Sequence, residues 1–313
     1  MRYFTTANVG RLAALVLALG VGVVAGQRAT AAEPLAWKFE RGLVLRYQIV
    51  SETTTTIDLG VGGQVDQQAT NTIDLVWTVE SVDEQGAARI QSRIARMRLS
   101  IGAPGAPAVQ YDSQSKDEPQ GFAAMIAPLG RELTRAEFTL TMTPLGAITE
   151  VDVPEALVEV VAASPGAAML GDMATAEGFK KLVGRSPFEL PAKLEPGAES
   201  KTTAVAQNPL IGEQTTTTTY RYEGPRTVQG ATLEAFRPTV EVALAGGSSN
   251  AQVTRQATEG EVLFNREAGR LESALIDQTM TLALTFEGKE LEQQLRVVTS
   301  MKRQAEEGAA PSP

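Results

Sequence analysis

Leu43, Leu45, Tyr47 and Ile49 alternate with positions that include Arg46 and Gln48. Ile73, Leu75, Trp77 and Val79 alternate in the same way with Thr72, Asp74, Thr78 and Glu80. A period of two sends one set of side chains toward a core and the other toward water, so both segments are predicted as half-buried strands. After Gly86 the apolar phase is Ile90 and Ile94, then shifts to Met97, Leu99 and Ile101, which predicts a bulge or bend near Ala95. Near the C-terminus Met280, Leu282, Leu284 and Phe286 precede Glu287-Gly288-Lys289, and Leu291, Leu295, Val297 and Met301 follow in step. This reads as a hairpin turning at Gly288.

The centre, from about Pro104 to Pro196, has a different period. Phe122, Met125, Ile126 and Leu129 have helical spacing after Pro119, and Pro128 is expected to limit that helix to about two turns. Pro154 suits the first position of a second helix, which Pro165-Gly166 would end, and a third is expected over 167–183, carrying Met169, Met173, Ala176 and Phe179.

Two threonine runs, Thr53–Thr56 and Thr215–Thr219, lie beside strand-like sequence in the two halves. Matching Gly86-Ala87 to Gly230-Ala231 gives an offset of 144, and matching Gly42 to Gly197 gives 155. One reading is an internal duplication of an antiparallel meander whose halves differ in loop length, with the threonines on solvated strand faces. The other is convergent composition, since β-branched hydroxyl side chains suit strands that face water. The expected fold class is α+β: a mainly antiparallel, curved sheet with two or three central helices. The expected layout is a signal peptide over 1–31 and one two-lobed domain over 32–303. That domain is strand-rich over 35–151, helical over 152–184 and strand-rich again over 190–303, with a disordered tail over 304–313.

The leader is read from Arg2 and Arg11, the apolar run Leu12 to Ala25, and the small residues Ala29-Thr30-Ala31 before a cleavage point at Ala32. A retained anchor is disfavoured, because that run is shorter than the about 20 residues needed to span a bilayer. Export to the periplasm or exterior, with no transmembrane anchor after cleavage, is the resulting expectation. Loss of the leader would leave 25 basic against 37 acidic residues, a net charge of −12. Such a surface disfavours nucleic acid and anionic lipid headgroups as partners.

The chain contains neither cysteine nor histidine. Disulfides, imidazole- or thiolate-based metal sites and Ser-His-Asp or Cys-His catalysis are therefore excluded. Ser113-Gln114-Ser115-Lys116 has the Ser-x-x-Lys spacing of penicillin-recognising enzymes, but the companion Ser-Asp-Asn and Lys-Thr-Gly elements are missing. Glu150, Asp152, Glu155 and Glu159 gather at the start of the second helix, where acids favour the helix dipole more readily than they build an oxygen-only calcium site. For a paired-carboxylate glycosidase, carboxylate separation is a tertiary fact, and only Trp37 and Trp77 are available to stack on sugars. The expectation is a protein without enzymatic activity, cofactor or metal.

"FERGLVLRY" near the start of the mature chain, together with the late "FNREAGRLESA", resembles uncharacterised exported β-rich proteins of environmental bacteria grouped as a domain of unknown function. That resemblance implies no activity. More loosely, a curved antiparallel sheet with central helices is similar to the periplasmic lipoprotein-carrier fold, in which an open barrel holds acyl chains beneath helices; this is analogy of fold alone. The leading functional expectation is an exported soluble binding protein holding an apolar small molecule or lipid between sheet and helices. Phe122, Met125, Ile126, Met169, Met173 and Phe179 would line the site, since methionine-rich stripes make yielding apolar walls. The alternative is a module that meets another envelope protein through strand edges or threonine-rich faces, with no small-molecule ligand.

Overall fold

The computed structural model describes residues 34–58, 63–102, 105, 107–163, 175–208, 211–247, 250–286 and 289–305. The leader, Met169, Met173, Gly288 and most of the expected tail lie outside the described residues. Those from Pro34 onward belong to one compact unit, built on a single twelve-stranded antiparallel sheet. The first strands are β1 (Val44–Asp58), β2 (Gln64–Val82), β3 (Ala88–Gly102), β4 (Val109–Asp112), β5 (Glu137–Met142) and β6 (Ile148–Asp152). The rest are β7 (Glu199–Asn208), β8 (Gly212–Val228), β9 (Ala231–Ala245), β10 (Gln252–Asn265), β11 (Arg270–Phe286) and β12 (Lys289–Arg303). Among the described residues the helices are α1 (Phe122–Arg135), α2 (Glu155–Ala163) and α3 (Ala176–Val183).

The α+β expectation is therefore wrong: strand accounts for 61% of the structure and helix for 12%. The central segment misled because its Gly, Ala and Pro content masks strand pairing. β4 and β5 both pair with β3, and β6 extends that edge. The helices decorate one end of the sheet and form no layer of their own.

Strand order is β6-β5-β3-β2-β1-β12-β11-β10-β9-β8-β7, with β4 attached to β3. Each half of the chain is a meander, and the first and last strands meet in the middle of the sheet, where Tyr47 lies opposite Arg303. One face carries the core. Leu45, Tyr47 and Trp77 from the middle of the sheet, Ile90, Leu140 and Met142 toward one end, and Tyr220, Tyr222 and Phe236 toward the other share a single buried cluster. A flat sheet could not bring β5 and β8 into one core, so the sheet curls around this face, as the coiling of long twisted strands allows.

Two non-strand segments plug the curl. Trp37 packs edge-on against Phe264 at 5.4 Å, and Phe188 meets Tyr220 and Phe236 at 5.0 and 4.9 Å between ring centroids. Edge-to-face pairs add about 0.5 to 1.5 kcal/mol each beyond area burial. The segment 184–194 also ties the two sheet edges: Leu190 N donates to Leu145 O in the β5–β6 turn, and Ser200 Oγ on β7 donates to Glu189 O.

The expected bulge at Ala95 is present as a register shift where Leu75 faces Ile94 and Asp74 faces Arg96. The C-terminal hairpin has the expected phase, with Leu284 opposite Leu291 and Met280 opposite Leu295. The two "E-x-G" turns are equivalent in detail. Gly42 N donates to Val79 O and Leu43 N to Glu40 O, while Gly197 N donates to Tyr222 O and Ala198 N to Glu195 O. Gly42 and Gly197 adopt φ of 85° and 86°, a conformation that favours glycine. The length difference between the two hairpins lies largely in the strands, since β1 has 15 residues and β7 has 10, and not in loops alone.

α1 runs through Pro128 to Arg135, two turns further than expected. Proline removes one hydrogen bond, but Ala123, Ala127 and Gly130 are buried on this helix and Leu129 and Leu133 are partly buried, and that packing outweighs the loss. Among the described residues no helix is long and apolar enough to cross a membrane.

Candidate functional site: the uncharged inner face of the curled sheet

The inner face is the one that carries Tyr47 and Trp77, and strand register extends it beyond the aromatic plug. The row next to the plug holds Asn71 on β2, Ser51 on β1, Thr299 on β12 and Ile276 on β11. The following row holds Ala69, Thr53, Val297, Gln278 and Thr258, reaching β10. Beyond it come Gln67, Thr55, Leu295, Met280 and Gln256, and on the other wall Val240 and Val242 face inward opposite Thr218 and Thr216. Among the described residues of β1, β2 and β7–β12, the inward positions past the Met301 row are uncharged except Lys289, which opens β12 opposite Phe286 at the far end of the face. The outward positions carry Glu52, Asp66, Asp74, Arg255, Asp277 and Arg296, among others.

Position on the sheet, not residue type, accounts for this segregation. The threonine runs are divided by the pleat, with Thr53, Thr55, Thr216 and Thr218 inward and Thr54, Thr56, Thr215 and Thr217 outward. The threonines expected on solvated faces therefore divide between the two faces, and Thr215–Thr219 are all partly exposed. Val240, Val242, Leu282 and Gln278 are all less than a tenth exposed, yet none belongs to the aromatic cluster.

Two amides on this face stand out. Gln278 is 9% exposed and its Nε2 has no hydrogen-bond partner; Asn71 Oδ1, one row away, is likewise buried and unpartnered. Between them Ser51 Oγ and Thr299 Oγ1 approach to 3.4 Å. A buried polar atom left without a partner costs about 1 to 3 kcal/mol.

The wall also has a seam. β9 and β10 share ladder pairing only from Glu234–Phe264 to Phe236–Val262. Pro238 then has no N–H to offer, and side chains replace the ladder. Thr258 Oγ1 accepts from Val240 N at 3.0 Å and donates to Val240 O at 3.2 Å; Gln256 Oε1 accepts from Val242 N at 2.8 Å while its Nε2 donates to Val242 O at 3.4 Å. Below the seam, Glu234 is buried at 5% exposure and accepts from Arg266 Nε at 2.6 Å and from the Tyr222 hydroxyl. Burial, followed by the Glu234 hydrogen bond, pushes the Tyr222 hydroxyl up to about 12. Nothing in the sequence signals this triad, because its members lie on different strands and turns.

The site residues expected from sequence are dispersed. Phe122 and Met125 are nearly half exposed, and Ile126 packs on the cluster of Tyr111, Ala123 and Ala127. Phe179 is buried in another cluster, 6.3 Å from Phe138 between centroids. Phe122 borders a surface groove of about 1100 Å³ between β4, the loop after it and α1. Two of its charged groups are paired within the protein: Arg98 with Asp74 at 2.9 Å, and Asp112 with Arg96, which holds that carboxyl below its usual range. Among the described residues no three acidic groups are grouped to hold a cation, so Glu150, Asp152, Glu155 and Glu159 form no such cluster. Ser113 Oγ accepts from Met97 N and serves the β3–β4 edge.

No family model matches the chain, and no curated protein matches it. Among solved structures, one of lipid–protein interactions in lipovitellin aligns with TM-score 0.43 and 13% identity over 88% of this chain and 26% of that one. The chain thus spans about a quarter of lipovitellin. DynF of the dynemicin biosynthesis pathway of Micromonospora chersina aligns at TM-score 0.22 and 9% identity over 90% of each chain. An outer membrane channel of Pseudomonas putida aligns at 0.20 and 7%, over 86% of this chain and 98% of that one. Similarity at this level leaves function to be read from the chain's own residues.

Proposed function

We propose that the protein is a non-enzymatic, exported binding protein that takes an uncharged, largely apolar molecule against the inner face of its curled sheet. The observation that supports this reading is that the inward positions along the described parts of eight long strands beyond the plug are uncharged save Lys289 at the far end of β12, while the outward positions of the same strands carry charges of both signs. A face that needs only to meet water tolerates charges freely. A face that must accept an apolar surface does not, because burying an unpaired charge is strongly unfavourable. The alternating threonines and aliphatics then give a wall of moderate polarity, suited to a neutral molecule and ill suited to a fatty acid anion. No cofactor, metal or nucleic acid enters this reading.

Neighbouring threonines of one run provide the test. Thr53 faces inward between Ala69 and Val297, and Thr54 faces outward between Gln68 and Arg296. Thr53→Glu is expected to abolish binding of the uncharged fluorescent probe diphenylhexatriene. Thr54→Glu, beside a cation, is expected to leave binding and melting temperature unchanged. Equal binding by wild type and both variants would refute the reading, as would a folded wild type that takes up no probe.

A further inference from the structure

We infer that Asn71 and Gln278 are the polar anchors of this binding face, and that its ligand is a neutral amphipathic molecule carrying a hydroxyl or amide donor and a separate carbonyl or ether oxygen. The inference rests on the function proposed above and names the ligand class for the same face.

The geometry is specific. Gln278 Nε2 is a donor without an acceptor, and Asn71 Oδ1 is an acceptor without a donor. Both project from the inner face, on β11 and β2, with β12 and β1 between them. Three inter-strand steps of about 4.8 Å put the two strands roughly 14 Å apart along the sheet, and less across its curl. A single polar atom does not serve both amides, whereas a molecule with a donor and a separate acceptor does. The space between is bridged by Ser51 and Thr299, whose hydroxyls lie 3.4 Å apart, so the polar belt is continuous. On one side of the belt lies the aromatic cluster with Tyr47 and Trp77, and on the other lie Leu295 and Met280. A ligand matching this order lays an uncharged polar portion along the belt and apolar surface beside it.

Two amides, each with a buried polar atom left unpaired, are poor choices for stability alone. A leucine of similar size at either position removes the penalty of the orphaned atom. Their presence at inward positions of an uncharged face is accounted for by a ligand that completes them. Rotating both amides by half a turn exchanges oxygen and nitrogen at both positions and leaves the same requirement for one donor and one acceptor on the ligand.

The test uses the full-length protein loaded with diphenylhexatriene and displaced by monoolein, oleate or hexadecane at pH 8. Monoolein carries hydroxyls and an ester carbonyl, oleate a charge, and hexadecane no polar atom. Monoolein is expected to displace the probe at concentrations at least tenfold lower than either of the others. Asn71→Leu and Gln278→Leu are each expected to reduce that advantage about fivefold or more, to leave diphenylhexatriene and hexadecane binding unchanged, and to unfold no earlier than wild type. If the probe binds but the three competitors act alike, or if the leucine variants keep the preference for monoolein, the anchor assignment is overturned while the apolar face stands. If either leucine variant unfolds well before wild type, the amides are structural and the assignment is likewise overturned. A folded wild type that binds no probe overturns the face and its anchors together.

Discussion

The buried triad beneath the seam offers the sharpest energetic test of the fold. Glu234 on β9 holds Tyr222 on β8 and Arg266 in the β10–β11 turn, tying together the elements that meet where the β9–β10 ladder ends. Arg266→Met would leave a carboxylate of 5% exposure with a single hydroxyl donor. Removing one member of a buried ion pair costs about 3 to 5 kcal/mol, because the remaining charge is uncompensated. The Arg266 side chain is about one-third exposed, so water reaches the site in part and the lower end, about 3 kcal/mol, is expected. Tyr222→Phe loses one hydrogen bond to a charged acceptor, about 1.5 to 2 kcal/mol. The triple replacement Tyr222→Phe, Glu234→Leu, Arg266→Met leaves no buried charge, and is expected within about 1 kcal/mol of wild type.

Urea unfolding followed by tryptophan emission suits this measurement, since Trp37 and Trp77 are both buried in the aromatic cluster. With a slope of about 3 kcal/mol per M for a chain of this size, Arg266→Met shifts the midpoint down by about 1 M. If Arg266→Met costs under about 1 kcal/mol, or if the triple variant is destabilised by the sum of its parts, the triad is a surface feature and the account of β9 is wrong.

The other predictions concern the segment 184–194, helix α1 and the seam. Burial raises the Glu189 carboxyl, so the folded state binds that proton more tightly than the unfolded chain, and stability falls as pH rises from about 4.3 through the raised folded value; Glu189→Gln should gain in melting temperature over wild type as pH increases across that window, and a constant difference would contradict the assignment. Gly130→Ala puts a methyl group into the Tyr111 ring and is expected to cost about 2 kcal/mol in urea unfolding; a neutral or stabilising effect would mean α1 is not seated there. Gln256→Ala should speed hydrogen exchange at the Val242 amide about tenfold while leaving Phe236 unchanged, because the first is held by a side chain and the second lies where β9 still pairs with β10.

Period-two alternation made the strands legible, including the Ala95 bulge, and the phase of Leu284 against Leu291 placed the last hairpin. The layering was not legible, because the pairing of β5 with β3 depends on six residues whose partners lie about 50 positions earlier. Helical spacing of Phe122, Met125 and Ile126 correctly indicated a helix, but periodicity does not say which side is buried. On α1 the small residues Ala123, Ala127 and Gly130 face inward, leaving Phe122 and Met125 in the open. A large apolar side chain suggests burial, but the space beneath the helix is filled by Tyr111.

The candidate site was readable in principle from a different signal. Along 51–57 and 214–220 every residue of one parity is uncharged, and the strands flanking them repeat that silence in register. Threonine obscured it by being acceptable on both faces: it is β-branched, so it favours extended backbone, and its hydroxyl satisfies itself locally or with a cross-strand neighbour. A run of threonines therefore builds a long strand without declaring an inside. What declares the inside is the company each parity keeps. Thr54 lies opposite Gln68 and Arg296, whereas Thr53 lies opposite Ala69 and Val297, and only the second environment requires that no charge be present. The proposed function is thus carried by the exclusion of charge along one face of eight strands up to Lys289 at its far end, a pattern that becomes visible when register supplies the neighbours.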